Sequence, residues 1–410
     1  MKSKQLKIIA FVSVLLLIIA LPFVIPEKSS GEEELTANMH KERTTNVEEI
    51  NEDVEHKRFV FDSGHNFEYP DAVRGVYVTG HSAGGSRFET LVDLVNNSDL
   101  NAMVIDIKDD HGYLTFKPGE DSPFADIGQN YIKDIKETIK VLEENEIYPI
   151  ARVVVFKDSV LGHKRPDLSF TENGNVWVNG REEAFVNPFM EEVWEYNVEI
   201  AKLAAELGFQ EIQFDYVRFP EGFERKDDVL SYSQGKYADS DLSNLKRRVE
   251  AVTDFVKYAK SELEYYDVDV SVDIFGYSVT LEGTETPGIG QNFMKISENV
   301  DVISSMIYPS HWSNHYFDIP IPDKEPYRLT DEYAKVENEV LDQLENRPVS
   351  RPWIQDFEAP WIYSGTGVAP QQYGKAEVEA QIKALQDNGI YEFLLWNAGN
   401  TYSENVDYTP

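Results

Sequence analysis

The chain has 410 residues, of which 41% are hydrophobic and 12% aromatic, so it can bury a sizeable core. Its formal net charge of -35, from 73 acidic and 38 basic residues, argues against nucleic acid as a partner because phosphate binding needs a basic surface. The sequence has no cysteine, which excludes disulfides, thiolate metal sites, a cysteine nucleophile and a lipoprotein anchor.

The N-terminus predicts a membrane segment. Three lysines precede the uncharged apolar run 8–25, which is long enough to cross a bilayer. This positive flank is expected to stay in the cytoplasm and to send the rest of the chain outside the cell. The run is long for a signal peptide and no clear A-x-A site follows it. We therefore expect residues 1–26 to anchor the chain in the cytoplasmic membrane by a single pass, with a cleaved signal peptide as the alternative.

Residues 27–70 are polar and acidic. This segment has too little apolar surface to fold alone, because low hydrophobicity and high charge do not offset the entropy of ordering. We expect it to be a disordered tether that holds the remaining domain, residues 71–410, away from the membrane.

From residue 71 onward, short β-rich apolar runs alternate with amphipathic helical patterns. Eight runs predict strands, at 74–80, 102–110, 149–158, 211–219, 269–277, 301–309, 352–357 and 391–398. The plainest helical patterns are 130–146, 188–208, 242–265 and 375–389. Eight βα units predict an α/β fold, a (β/α)8 TIM barrel, with a doubly wound sheet as the alternative.

The predicted connections differ in length. The links from helix to strand are short, whereas those from strand to helix are long, at 111–126, 159–187, 220–241, 309–330 and 358–374. The elaborated βα loops therefore all lie at the carboxyl ends of the strands, where barrel enzymes carry their active sites.

Polar residues occupy inward positions near several strand ends. Side chains of a barrel strand alternate between the interior and the helix layer, and the apolar positions suit the helix layer. This alternation points Asp215 inward on the fourth strand and Asp273 inward on the fifth. On the second strand it points Asp106, Lys108 and Asp110 inward.

The inward carboxylates allow two explanations, because an unpaired buried charge is costly. One is a structural network with Lys108 or Arg152 as the cation. The other is an acid/base pair, since Asp215 and Asp273 lie on consecutive strands at similar depth. Neighbouring carboxyl groups push their pKa values apart, so that one is ionised and the other protonated. Cleavage of a glycosidic bond needs such a pair.

Three motifs resemble a known family. They are RGVYVTGHSAG at 74–84, QFDYVRFP at 213–220 and SVDIFGY at 271–277. The chain resembles, over 73–400, the glycoside-hydrolase barrels first catalogued as a bacterial domain of unknown function. The resemblance implies a (β/α)8 fold and cleavage of a polysaccharide.

The placement of the fourth-strand motif is also similar to that of the α-amylase and α-galactosidase clans. Their nucleophilic Asp ends the fourth strand, which implies that Asp215 is the nucleophile. The α-amylase order implies that Asp273, on the fifth strand, is the acid/base. That clan has Glu at the fifth strand, so Glu358, after the seventh strand, remains the alternative acid/base.

Further side chains near the strand ends are candidates to bind a sugar. The predicted set is Asp106, Arg218, Tyr308, His81, Trp312, Glu358 and Trp396. Aromatic residues are frequent in the same loops, at Tyr113, Trp177, Phe223, Tyr308, Trp312, Tyr316, Trp361 and Tyr363. Ordinary loop packing explains any one of them, but together they favour a carbohydrate cleft.

The stretch GHSAGG at 80–85 matches G-x-S-x-G, the nucleophile elbow of serine hydrolases. In an α/β-hydrolase several strands precede the elbow, whereas here only the acidic segment does. We therefore interpret the glycines as a turn at the barrel mouth rather than Ser82 as a nucleophile. His81, His111 and His311 also follow predicted strands, but none has a recognisable metal-ligand spacing, and we expect neither metal nor cofactor.

The sequence thus predicts a membrane-tethered, extracellular glycoside hydrolase that cleaves a cell-wall or extracellular polysaccharide. The alternative is a non-catalytic barrel of the cell envelope that binds polysaccharide. In that alternative the aromatic rim matters and the carboxylates do not.

Overall fold

A computed structural model of the protein describes residues 60–409. Eight parallel strands form its barrel: β1 Arg74–Val78, β2 Ala102–Lys108, β3 Tyr148–Val154, β4 Glu211–Asp215, β5 Asp269–Phe275, β6 Val302–Met306, β7 Trp353–Gln355 and β8 Phe393–Trp396. Each strand pairs with the next in sequence, and β8 pairs with β1. The sheet is therefore closed, and the predicted barrel with its eight strands is confirmed.

Seven helices follow the first seven strands in the described residues. They are α1 Arg87–Asn96, α2 Ile135–Glu144, α3 Glu191–Glu206, α4 Asn244–Leu263, α5 Phe293–Ser297, α6 Pro326–Leu341 and α7 Lys375–Asp387. Shorter elements in the loops are the helices Gly80–Ala83 and Ser159–Lys164 and the strands Leu114–Phe116, Gly128–Ile132, Thr171–Glu172, Asn175–Val176, Glu285–Thr286, Gln291–Asn292 and Val349–Ser350. The loops also contain short 3₁₀ turns.

The helix predicted over 130–146 begins later in the structure. Gly128–Ile132 is a strand beside Leu114–Phe116, and α2 begins after it. Asp134 caps α2, because its carboxylate accepts a hydrogen bond from the backbone N–H of Glu137. The cap satisfies an amide that would otherwise lack a partner, and it fixes where the helix starts.

The alternation predicted for the strands separates two apolar clusters. Residues such as Ile105, Phe214 and Val272 pack between the strands and the helices, as predicted. The barrel interior is a smaller cluster of Val73, Tyr77, Ala102, Val104, Tyr148, Ile150, Tyr308, Trp353 and Leu394. The interior is thus a filled core, and barrel enzymes carry their active sites at the carboxyl ends of the strands.

A buried ion cluster fills the amino-terminal end of the barrel. Arg351, just before β7, donates hydrogen bonds to Glu211 at 2.7 and 2.8 Å and to Glu392 at 2.7 Å. It also donates to the Tyr69 hydroxyl at 2.9 Å. All of these groups are held by protein partners, so this end is a floor, and an active site belongs at the opposite end.

Tyr69 lies in the segment that the sequence predicts to be tether. Its neighbours also contact the folded part: the Phe61 amide donates to the Tyr265 carbonyl at 3.0 Å, and His65 lies 2.7 Å from Glu143. Residues 60–70 therefore pack on the barrel. The predicted membrane segment and the rest of the tether lie outside the described residues. Between residues 60 and 409, no helix is long and apolar enough to span a membrane.

Lys108 does not point into the barrel, contrary to the prediction. The β2–β3 register shifts between Asp106 and Lys108, which marks an irregularity that breaks the alternation of side chains. The ammonium instead lies 2.6 Å from Asp158 and donates to Asn197 on α3 at 3.0 Å. Lys108 thus ties β2 to the helix layer and leaves the interior carboxylates to another cation.

The GHSAGG motif forms a tight junction after β1. Thr79 caps the single-turn helix Gly80–Ala83, and its hydroxyl also donates to Ser82 Oγ at 3.1 Å. Gly84 has an ordinary φ of -95°, so the left-handed region is not the reason for glycine there. A Cβ on Gly84 would instead lie 1.7 Å from the Tyr131 carbonyl oxygen. Glycine is therefore needed at position 84 because the backbone there packs directly against the backbone of Tyr131.

We predict that Gly84→Ala lowers the free energy of unfolding by about 3 kcal/mol, because the added methyl group overlaps a backbone carbonyl. Urea denaturation would measure the loss. Gly119→Ala is the matched control, since a Cβ at Gly119 meets nothing within 4 Å. Equal unfolding midpoints for the two variants would contradict the close approach as the reason for glycine.

Candidate active site

Charged side chains gather at the carboxyl end of β2 to β5, away from the floor. Arg152 on β3 is 1% exposed and lies at the centre of this cluster. Its Nη1 donates to Asp106 at 2.7 Å, and its Nε and Nη2 donate to Asp215 Oδ2 at 3.1 and 2.6 Å. Its Nη2 also donates to Asp110 at 2.9 Å. One guanidinium therefore joins three carboxylates, from β2, the loop after it and β4, as a planar five-donor group can.

Asp215, at the end of β4, keeps one accessible acceptor site. Arg152 supplies two donors to Oδ2, whereas Oδ1 accepts only the backbone N–H of Tyr216, at 2.5 Å. A carboxylate oxygen accepts about two hydrogen bonds, so Oδ1 has a lone pair to spare. The side chain is 8% exposed.

The backbone after Asp215 is strained. Tyr216 has a φ of +52°, in the left-handed region that bulky residues rarely adopt. This turn aims the Tyr216 amide at the Asp215 carboxylate, and strain of this kind concentrates at functional sites.

Asp273 on β5 lies next to Asp215. The β4–β5 register pairs Gln213 with Ser271 and Phe214 with Val272, so Asp215 and Asp273 follow at the same level. Neighbouring strands lie roughly 4.8 Å apart. The sequence prediction that these two residues sit at similar depth on consecutive strands agrees with this register.

Asp273 carries no such cation contact. Its Oδ1 accepts a hydrogen bond from the indole Nε1 of Trp353 at 2.7 Å, and the residue is 2% exposed. Burial, and then the charge of Asp215, raise the pKa of Asp273 well above its usual value, although Trp353 and Arg152 oppose the rise. The environment of Asp273 therefore favours its neutral form.

Asp106 supports the cluster rather than facing the mouth. Its Oδ1 accepts from Arg152, and its Oδ2 accepts from the Tyr77 hydroxyl at 2.6 Å. Burial raises the pKa of Asp106 to about 6, against the opposing charge of Arg152. Both carboxylate oxygens are thus held by protein groups, and a positioning role fits Asp106 better than the predicted contact with sugar.

Asp110 extends the cluster toward solvent. Besides Arg152 it contacts Lys157, whose ammonium donates to it at 3.1 Å and lies 2.7 Å from Glu183. Burial tends to raise the pKa of Asp110, but Arg152 and Lys157 outweigh it and lower the pKa to about 2. The rim at β2 and β3 is therefore ionised and polar.

Three predicted sugar-binding residues surround the carboxyl pair. Tyr308, after β6, is nearly buried, and burial followed by the charges of Asp273 and Asp215 raises its pKa. Trp396 lies at the end of β8, and its ring centroid is 6.4 Å from the ring centroid of Tyr308. Arg218 is clamped between the rings of Tyr216 and Phe275, with its guanidinium carbon 4.7 Å from each centroid.

Other predicted residues lie elsewhere. Trp312 is buried, and its ring packs on Tyr316, Phe317 and Tyr333 in the helix-side core, so it is not part of an exposed rim. Phe223 is likewise 1% exposed. Loop aromatics pack into the core whenever a neighbouring apolar surface covers them, and the sequence does not show that surface.

Two predicted residues lie exposed near the mouth. His81 stacks on Tyr131 with the ring centroids 3.9 Å apart, on the single-turn helix after β1. Glu358, the alternative acid/base, is exposed on the loop after β7. The nearby Asp356 is buried and accepts hydrogen bonds from Ser403 at 2.6 and 2.8 Å. Asp273 is the carboxyl that the structure places beside Asp215.

The remaining sequence hypotheses concern Ser82 and the histidines. Ser82 Oγ accepts from the Thr79 hydroxyl, the capping residue, which agrees with a structural turn. Within residues 60–409, no three His, Cys, Asp or Glu side chains are grouped so that they could hold a metal ion.

Sequence reasoning missed Trp353 and Tyr77. Both are buried in the barrel interior, and each donates a hydrogen bond to one of the predicted carboxyls, Asp273 and Asp106. The sequence does contain a signal for Trp353. In the short seventh strand its neighbour Ile354 faces the helices, so alternation points Trp353 into the barrel. A polar-tipped aromatic in a barrel interior needs a partner for its N–H or O–H.

Comparison with solved structures supports the fold. The glycoside hydrolase domain of PgaB (BpsB) from Bordetella bronchiseptica is 13% identical, with a TM-score of 0.55 over 80% of this chain and 95% of that chain. A beta-galactosidase from the psychrophilic Marinomonas ef1 is 12% identical, with a TM-score of 0.52 over 79% of this chain and 54% of that chain. These likenesses show a shared barrel.

A hypothetical protein from Ruminiclostridium thermocellum ATCC 27405 has the higher identity of 32%, with a TM-score of 0.41 over 48% of this chain and 96% of that chain. No curated protein matches the chain. The model of one family, described as "Putative glycosyl hydrolase domain", matches residues 75–402. Since the match runs from β1 past β8, the chain belongs to this family of glycosyl hydrolase domains.

Proposed function

We propose that the protein hydrolyses glycosidic bonds of a polysaccharide with Asp215 as nucleophile and Asp273 as general acid and base. The observation that carries the proposal is the unequal pairing of two adjacent carboxyls. Arg152 holds Asp215, whereas Asp273 is buried against Trp353 with a raised pKa. One ionised and one protonated carboxyl are what glycosidic cleavage requires.

In the first step, Asp215 Oδ1 attacks the anomeric carbon and forms a glycosyl ester. The bond from that carbon to the leaving oxygen breaks, and the leaving oxygen takes the proton of Asp273. In the second step, water attacks the anomeric carbon, Asp273 accepts its proton, and the Asp215 carboxylate is released. Neighbouring strands lie roughly 4.8 Å apart, and this spacing supports a retaining arrangement, in which the two carboxyl groups are about 5–5.5 Å apart.

Arg152 keeps the nucleophile in place throughout this cycle. Its two hydrogen bonds to Oδ2 orient the carboxylate and leave Oδ1 free of Arg152. Trp353 orients the acid, Asp273, through the hydrogen bond that its indole donates. An indole N–H can only donate, so Oδ1 of Asp273 acts as acceptor, and Oδ2 is the oxygen that this bond leaves available for proton transfer.

The N-terminal sequence supports the proposed location and substrate class. A basic flank, an apolar run and an acidic segment precede the barrel, which fits a catalytic domain held outside the cytoplasmic membrane. A polysaccharide of the cell wall or the extracellular matrix is the substrate class within reach of such a domain. The acidic composition suits a neutral or cationic polymer.

A second function competes with this one. The bridging of Asp106, Asp110 and Asp215 by Arg152 is also what a structural network would show. In that case the barrel binds polysaccharide without cleaving it. The two functions make different predictions for a variant whose residue 273 cannot donate a proton. An enzyme would lose cleavage, whereas a binding barrel would keep its binding.

We predict that Asp273→Asn lowers the rate of polysaccharide cleavage about a thousandfold, because the leaving oxygen no longer receives a proton. Release of reducing ends from glycol chitin, hydroxyethyl cellulose, starch and galactan would measure it. In the wild-type chain, activity should fall as the pH rises through the raised pKa of Asp273, since the acid then loses its proton.

Asp356→Asn is the matched control for this variant, because Asp356 is a buried carboxyl near the mouth whose partner is Ser403. It should keep its activity. A folded wild-type chain that binds one of the four polymers but cleaves none of them would favour the binding barrel.

We predict that Asp215→Ala lowers hydrolysis of 4-nitrophenyl glycosides by a factor on the order of 10⁴, because the nucleophile is missing. Sodium azide should restore turnover, since azide fits the vacated space and attacks the anomeric carbon in place of the carboxylate. Mass spectrometry and NMR would identify a glycosyl azide of inverted configuration. Asp106→Ala should lose activity without such rescue, and equal rescue of both variants would contradict the role of Asp215.

We predict that Trp353→Phe lowers kcat and moves the basic limb of the pH–rate profile to higher pH. The indole N–H stabilises the charged form of Asp273, so its removal raises the pKa further. Trp194→Phe is the control, because its buried indole donates to the Pro188 carbonyl at 2.8 Å in the helix layer. A basic limb that stays in place in both variants would argue against Trp353 as a positioning residue.

A further inference from the structure

An exposed tryptophan lies at the edge of the barrel mouth. Trp361 is 58% exposed, the largest value among the exposed large hydrophobic residues that the structure describes. A single exposed hydrophobic residue is ordinary, whereas one that continues a row of aromatic side chains from a candidate active site forms part of a larger apolar surface, and such surfaces mark binding sites.

Trp361 is held rigidly. It belongs to the 3₁₀ turn Pro360–Tyr363, which begins with a proline. Tyr363 anchors the turn, because its hydroxyl donates to Asp323 at 2.6 Å. The indole lies nearly parallel to the ring of Phe357, at 11° and 6.2 Å between centroids. One face of the indole is thus supported, and the side chain remains mostly open to solvent.

Phe357 connects this ring to the carboxyl pair. Its centroid lies 5.7 Å from Tyr308, and Tyr308 lies 6.4 Å from Trp396. Tyr308 is close enough to Asp215 and Asp273 for their charges to raise its pKa. A continuous row of four aromatic rings, Trp396–Tyr308–Phe357–Trp361, therefore runs from the predicted point of cleavage to the surface on the β7 side.

We propose that Trp361, supported by Phe357, is an outer subsite that stacks on a sugar ring of the polysaccharide beyond the point of cleavage. This rests on the proposed function, because the row starts at the carboxyl pair. A sugar ring presents flat C–H faces to an aromatic ring and hydroxyl groups to its edge. The exposed Glu358, next in the chain to Phe357, provides a hydrogen-bond acceptor for those hydroxyls.

A second copy of this chain is the other conceivable occupant. The charge of -35 on each copy opposes self-association through a small patch. The subsite also means that the enzyme holds a chain of several sugar units, since one unit must bridge from the carboxyl pair to Trp361.

Affinity electrophoresis in native gels tests the subsite. The gels contain glycol chitin, hydroxyethyl cellulose, starch or galactan, and the full-length Asp273→Asn chain serves as parent because it should bind without cleaving. We expect one polymer to retard the parent, and Trp361→Ala to weaken that retardation about tenfold. Tyr391→Ala is the matched control, since Tyr391 is a 43% exposed aromatic before β8 at the floor end. It should be retarded like the parent.

The outcomes separate the subsite from the proposed hydrolysis. Equal retardation of the Trp361→Ala and Tyr391→Ala variants overturns the subsite, even if the wild-type chain cleaves the polymer. Selective loss in Trp361→Ala supports the subsite, even if the wild-type chain cleaves nothing, and the barrel is then a binding protein. Retardation of the parent by none of the four polymers overturns the subsite. Analytical ultracentrifugation showing a dimer that Trp361→Ala dissociates would assign the surface to a second copy and overturn it too.

Discussion

The guanidinium of Arg152 is the group on which the candidate site depends. It is buried in the barrel interior and donates hydrogen bonds to carboxylates on β2 and β4. A buried cation of this kind favours the charged form of the carboxyls beside it, because an unpaired buried charge is costly. Asp273 accepts its hydrogen bond from Trp353 instead of from this cation, and burial beside Asp215 raises its pKa.

The two ends of the barrel use buried arginine differently. At the floor, Arg351 pairs with Glu211 and Glu392, and Tyr69 from the segment before β1 completes the cluster. Every carboxylate named there has a cation, and the cluster closes one end of the fold. At the mouth, the charge balance is incomplete and one side is reached by solvent. The contrast locates chemistry at one end and stability at the other, as in other barrels of this type.

The strand pattern was sufficient to predict the barrel, the inward direction of Asp215 and Asp273, and the side of the fold that carries the site. These predictions depend on the alternation of polar and apolar residues along each strand, which can be read directly from the sequence. Lys108 was predicted on the wrong side because an irregularity between it and Asp106 changes the alternation, and sequence does not display register. Trp312 and Phe223 were predicted on a rim because burial of loop residues depends on which loops meet. Trp353 escaped notice since its partner lies 80 positions away in the chain.

The closure of the barrel has a consequence for how the protein is made. The strands that carry Arg152, Asp215 and Asp273 are consecutive, so their pairing can begin while the ribosome is still adding residues. Closure is different: Tyr69 contacts Glu392 across 323 positions, and the Tyr402 hydroxyl meets the Tyr77 carbonyl across 325. Contacts of such long range are slow to form, because loop closure precedes their gain. The edge of β1 that pairs with β8 therefore has no partner strand until the last strand emerges, whereas the strands that carry the charged centre can pair before then.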